Sequence, residues 1–253
     1  MQIEYYKEFK HFADRDPKRP VKYLVIHSFA LPVEKMIETC DKLGVSPHYI
    51  IDKKGHIIQL VPEDKTAWHA GKSYWAGEES LNASSIGIEL QNMTLGQTKY
   101  PAAQIDALIW LSKEIIKRHK IAPQNVVGHS DVAPTRKVDP NIAFPWEKMA
   151  KNKVGLWPKE KNITSRKKAR TLLQEIGYDV TNENAALLAF MRHFMPHRVA
   201  EDKEIFRLEE NLEAYISNLP SPDKDVMSML NRVAYDYGRA RFGRFRKQKS
   251  ICK

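Results

Sequence analysis

The run VKYLVIHSF, from Val21 to Phe29, is the feature that most narrows the choice of fold. Its β-branched and apolar residues follow one another almost without interruption. It is far too short to cross a bilayer as a helix, so it reads as a buried strand. Such a strand must be covered by other elements. Near its end it carries His27 and Ser28, which brings polar chemistry to a sheet edge.

The segments that follow supply the cover. Val33, Met36, Ile37, Cys40 and Leu43 recur at i, i+3, i+4 and i+7, predicting a helix that stops at Gly44. His48 to Pro62 reads as a β-hairpin turning at Lys53-Lys54-Gly55, and Ser84 to Asn92 as a further strand carrying Glu89. Pro101 opens an amphipathic helix to about Lys120, with Ile105, Leu108, Ile109, Ile115 and Ile116 inward. Asn125 to His129 is a short last strand. The segment SDVAPTRKVDPNIAFPW after it is proline-punctuated and cannot be regular throughout. Alternation of this kind predicts an α/β fold, a central mixed β-sheet covered by helices, over residues 1–160. WPKEKNITSRKK then reads as a polar, basic linker. Only helical patterns follow it, so residues 161–253 are expected to form a small all-α domain.

Composition narrows the function classes. With 42% hydrophobic residues, a chain of 253 can bury a core without disulfide staples. Its cysteines, Cys40 and Cys252, form no C-x-x-C pair. Cys40 falls on an apolar helix stripe, and Cys252 reads as a free thiol near the terminus. The net charge is +10, but Arg239 to Lys253 holds seven cations and no acid, so much of the excess sits in this basic tail. That placement argues against a nucleic-acid-binding body and leaves weak contact with an anionic surface as the tail's possible role. The N-terminal residues lack the apolar core of a signal peptide, so the chain as written is expected in the cytoplasm. A leader already removed would instead place it in the periplasm or outside the cell.

The chemistry-bearing residues gather around the last strand. His129 is followed eight residues later by Lys137 and ten later by Asp139, and His27 ends another strand. Two imidazoles and a carboxylate form an open zinc site with a fourth position for water or substrate. Spacing alone leaves other roles open. A strand-end histidine can be a polar cap, Asp139 before Pro140 a turn residue, and Lys137 a solvated side chain.

The blocks VIHSFA, SPHYIID, AWHAGKSYW, SSIGIELQN and VVGHSDVAPTRKVDPNIAFPW resemble, in order, those of the zinc-dependent N-acetylmuramoyl-L-alanine amidases of the AmpD/AmiD type. The last block, with its H-x-D-x-A-P-x-R-K-x-D-P pattern, is the most specific. The resemblance implies Zn2+ held by His27, His129 and Asp139, with Glu89 as acid/base and Lys137 beside the oxyanion. Ile86, Ile88 and Leu90 give Glu89 apolar neighbours, which argues against a solvent-facing residue. Trp68 and His69 are expected to form a substrate wall, with Trp75 either joining it or packing in the core. Asn92 is expected to bond the stem peptide. His48, counted with the substrate-binding residues, and Tyr49 are expected to support the site from behind. The implied substrate is peptidoglycan or a soluble (anhydro)muropeptide. LLQEIGYDV and ALLAFMRHFMP resemble small three-helix peptidoglycan-binding modules; a domain that only buttresses the sheet fits the same pattern. A recognition protein that binds muropeptides without cutting them is the alternative. It would need neither Glu89 nor Lys137.

Overall fold

A computed structural model describes residues 1–159, 163–200 and 208–249, without the side chains of 200, 208–211 and 242–249. Cys252 and the last four residues of the basic tail lie outside the described residues. The strands are β1 (Ile3–Tyr5), β2 (Phe12–Asp14), β3 (Tyr23–Phe29), β4 (Tyr49–Ile51), β5 (Ile57–Gln59), β6 (Lys65–Ala67), β7 (Tyr74–Trp75), β8 (Glu78–Glu79), β9 (Ser85–Gln91) and β10 (Val126–Gly128). The helices are α1 (Val33–Leu43), α2 (Ala102–His119), α3 (His129–Val132), α4 (Trp146–Lys151), α5 (Ala169–Ile176), α6 (Glu183–Phe194), α7 (Pro196–Ala200), α8 (Leu208–Ser217) and α9 (Lys224–Lys249).

The main sheet is six-stranded, in the order β1-β5-β4-β9-β3-β10. β4, β9, β3 and β10 run parallel, while β5 pairs antiparallel with β4 through the expected hairpin. The sheet is therefore mixed, with β4 and β9 at its centre and β3 between β9 and the edge strand β10.

The pleat sorts side chains by parity. Leu24 and Ile26 of β3, with Ile86, Ile88 and Leu90 of β9, pack under α2 against Ile105, Leu108 and Ile115. Tyr23 and Val25 point the other way, into a core shared with Leu172, Leu173 and Ile176 of α5, Phe190 of α6, and Leu230, Val233 and Tyr237 of α9. His27 follows the parity of Tyr23 and Val25, and Glu89 that of Ser85 and Gly87. The register sets His27 directly beside Glu89. Ile88 and Leu90, which flank Glu89, thus point to the opposite face, and its partial burial comes from the groups packed on its own face.

Helix boundaries follow the local chemistry. Gly44 closes α1 in the left-handed region at φ 66°, and the Val45 N–H returns to the Cys40 carbonyl. Cys40 is buried, but Leu43 at the end of the same stripe is 65% exposed. α9 does not stop at Gly238. It continues to Lys249, so the start of the basic tail is helical. The core beyond the polar linker is continuous with the sheet. Among the described residues, no helix is long and apolar enough to cross a membrane.

Candidate metal centre and active site

Three chain segments meet at the C-terminal ends of β3, β9 and β10. His27 Nδ1 lies 3.0 Å from His129 Nδ1 and 3.4 Å from Asp139 Oδ2, and His129 Nδ1 lies 3.2 Å from that same oxygen. All three residues are buried. Two imidazole nitrogens and a carboxylate oxygen at these spacings form a triangle of acceptors. Metal–ligand bonds of about 2.0–2.1 Å at tetrahedral angles put donor atoms about 3.3 Å apart, so the triangle has the size a tetrahedral ion requires. Charge states agree with that use. Burial, then the neighbouring His129, holds the His27 pKa down to about 4, so the ring is neutral. The two histidines and their hydrogen bonds keep Asp139 ionised despite its burial. The described residues form one such cluster.

Each ligand is held by its surroundings. The Ser28 N–H reaches Asp139 Oδ2 at 3.4 Å, and the Ser130 N–H donates to the Asp139 carbonyl at 2.8 Å. Behind His129, the Asp131 carboxylate accepts from the Gly128 N–H at 2.7 Å, the Tyr178 hydroxyl at 2.8 Å and His193 Nδ1 at 2.8 Å. Burial and the charge of Asp131 keep the Tyr178 phenol far above its ordinary range, so it remains a donor. The His193 ring is clamped between Trp146 and Phe194, stacked at 3.9 and 4.1 Å. Val138, between Lys137 and Asp139, packs with Ala185, Leu188, Leu212 and Ile216. The C-terminal helices thus grip the loop that carries His129, Lys137 and Asp139.

Glu89 is desolvated, and its Oε2 is buried without a hydrogen-bond partner. Burial, reinforced by Asp139 and opposed by Lys137, raises its pKa well above the usual carboxylate range. The half-buried Lys137 acts electrostatically on both Glu89 and His27.

The remaining expected residues divide. Trp68 is 39% exposed and available to a ligand. His69 lies against the metal cluster, its Nδ1 3.0 Å from His27 Nε2. Trp75 is core, with Nε1 donating to the Gln124 carbonyl and its ring edge-on to Tyr178. Asn92 is committed inside the protein. Its Oδ1 accepts from the Thr94 N–H and hydroxyl, and its Nδ2 donates to the Thr98 carbonyl. This shapes a loop in which a Cβ on Gly96 would collide with the Pro140 carbonyl, so the loop braces the chain next to Asp139. His48 has no exposed surface. Its Nδ1 accepts from the Gly87 N–H, so Nε2 carries the proton and donates to the Lys65 carbonyl. Tyr49 donates to Glu63, away from the cluster. Sequence reasoning missed Asp131, Tyr178, His193 and Arg136. Arg136 bonds the carbonyls of Ala70 and Lys72, tying the loop of Trp68 and His69 to that of Asp139. Asp131 was visible inside the H-x-D pattern; its partners, 47 and 62 residues away, gave no local signal.

A mixed sheet that presents a His-His-Asp donor set and a desolvated carboxyl at its strand ends has the architecture of a metal-assisted hydrolase. Residues 17–142 match the family model described as N-acetylmuramoyl-L-alanine amidase. The chain is 39% identical over 208 residues to N-acetylmuramoyl-L-alanine amidase AmiD of Escherichia coli, spanning 70% of this chain and 75% of that protein. The solved structure of E. coli AmiD with anhydro-N-acetylmuramic acid-L-Ala-D-γ-Glu-L-Lys superposes with a TM-score of 0.69 at 31% identity, covering 92% of each chain. AmpDh3 from Pseudomonas aeruginosa, solved with an anhydromuramic pentapeptide, superposes at 0.69 and 27% identity over 92% of this chain and 97% of the other. This chain belongs to the N-acetylmuramoyl-L-alanine amidase family.

Proposed function

We propose that this protein is a zinc-dependent N-acetylmuramoyl-L-alanine amidase that cleaves the bond between the lactyl group of an anhydromuramic acid and L-alanine. The observation that carries the reading is the triangle of His27, His129 and Asp139 beside the desolvated Glu89. The mixed nitrogen and oxygen donor set suits zinc. Zinc held there supplies Lewis acidity, activating water and polarising the scissile carbonyl near neutral pH. The residues of the chain do the rest. Glu89 takes the proton of the attacking water and returns it to the departing alanine amine. Its raised pKa lets it hold that proton between the two transfers. Lys137 places an ammonium beside the negative charge that develops on the carbonyl oxygen. Trp68, exposed at the rim, offers an aromatic face to the sugar or peptide. The soluble anhydromuropeptide is favoured as substrate because both bound relatives carry an anhydromuramic peptide.

The test is product identification by mass spectrometry after incubation with anhydromuropeptides and, in parallel, with reducing-end muropeptides. The expected products are anhydro-N-acetylmuramic acid and a peptide with a free L-alanine amine. Tight binding of the intact muropeptide with no product would establish the non-catalytic recognition protein instead.

A further inference from the structure

We propose that His69 sets the tautomer of His27, so that His27 always presents a bare Nδ1 to the metal; the inference rests on the zinc reading above. The direction of each hydrogen bond fixes the next. The Ser85 hydroxyl donates to the Leu81 carbonyl at 2.6 Å, which uses its proton. Toward His69 Nε2, 3.1 Å away, Ser85 Oγ can then only accept, so His69 carries its proton on Nε2. A neutral His69 therefore has a bare Nδ1, and this atom faces His27 Nε2 at 3.0 Å. It accepts there. His27 Nε2 is the protonated nitrogen, and His27 Nδ1 is left as a lone pair aimed at His129 and Asp139. His129 has no equivalent support, since its Nε2 is buried without a partner.

The seat of the His69 ring is built for this purpose. A Cβ on Gly87 would lie 2.4 Å from His69 Cγ and 2.5 Å from its Nδ1, so only glycine lets the ring rest on β9. The backbone beneath is fixed as well, because Asn82 Oδ1 accepts from the N–H groups of both His69 and Ala70. Ser85, Gly87 and Glu89 occupy alternate positions on one face of β9. On that face the strand supplies the anchor of the relay, the seat of its ring and the general base in turn. A ligating histidine whose far nitrogen is hydrogen-bonded is better oriented and more basic, and losing the partner typically lowers metal affinity about 10–100-fold.

The experiment measures zinc affinity by chelator competition for the wild type, His69→Ala, His69→Gln and Ser85→Ala, with ring nitrogen NMR of the zinc-free wild type. Circular dichroism confirms that each variant is folded. His69→Ala is expected to bind zinc about 10–100-fold more weakly. His69→Gln, whose amide can accept from His27 and donate to Ser85, should recover most of the loss. Ser85→Ala should weaken binding by a smaller factor. In the wild type, NMR should find His27 protonated on Nε2. The proposal is overturned if the wild type binds zinc and His69→Ala binds it equally well, or if His27 carries its proton on Nδ1. A wild type that takes up no zinc would refute the zinc reading instead, and the NMR tautomer would still decide the relay.

Discussion

At the scale of single residues, the proposed catalysis divides between groups that would hold the metal and groups that handle charge. Glu89 is part-buried beside the cluster, with its Oε2 buried and unpaired, but does not join it, so its loss should spare the metal. Glu89→Gln is expected to keep its zinc and to lose about 10²–10⁴-fold in kcat, measured by steady-state release of peptide. Near-normal turnover would remove Glu89 from the reaction. Lys137→Ala should cost about 10²–10³-fold in kcat with metal content unchanged, as expected for a donor that meets only developing charge. Sequence reading found these residues through the resemblance, because a strand-end histidine or a carboxylate before proline has several ordinary roles. The same reading gave Asn92 and His48 to the substrate, whereas the structure spends their polar atoms on a loop and on β9. A polar residue near a site looks the same in sequence whether it faces the ligand or the backbone behind it.

At the scale of elements, the bond from α6 to α3 deserves a direct test. Tyr178 and His193 both donate to the buried Asp131, which holds the Gly128 N–H at the start of the loop bearing His129. Tyr178→Phe keeps the ring and strands one carboxylate oxygen, so it should destabilise the protein by about 1–3 kcal/mol in chemical denaturation. An unchanged midpoint would mean that the α6 contact alone holds Asp131. The long periodic elements were legible: β3, α1, the β4–β5 hairpin, β9 and α2 fall where apolar spacing predicts them. β1, β2, β6, β7 and β8 span two or three residues each, too few to generate a period, and their pairing is decided by partners far along the chain. α9 runs on through Gly238, which has open space around it, into the basic tail. The polar linker suggested two domains. The packing of α5, α6 and α9 on the far face of β3 could not be read from helical periodicity, which gives a buried stripe without naming its partner.

At the scale of the molecule, the site makes stability depend on pH in the absence of metal. Burial, ahead of neighbouring charges, holds His27 at about 4, His48 at about 3 and His69 well below its ordinary 6.5, whereas burial raises Glu89. Between pH 6.5 and about 4.5, unfolding lets three rings take protons they lack when folded, while the folded Glu89 retains one proton that the unfolded chain releases. The balance favours the unfolded chain on acidification. The metal-free protein should therefore lose stability progressively as the pH falls from 6.5 toward 4, read as a falling Tm in calorimetry. A Tm that stays level or rises on acidification would contradict the neutral-histidine assignment. The central claim, a zinc amidase built on His27, His129 and Asp139, is tested most directly by metal content measured together with hydrolysis. The account predicts one zinc per chain, cleavage of an anhydromuropeptide at the lactyl–alanine bond, loss of that cleavage when a chelator removes the metal, and its return on adding zinc. Full cleavage by metal-free protein would contradict it.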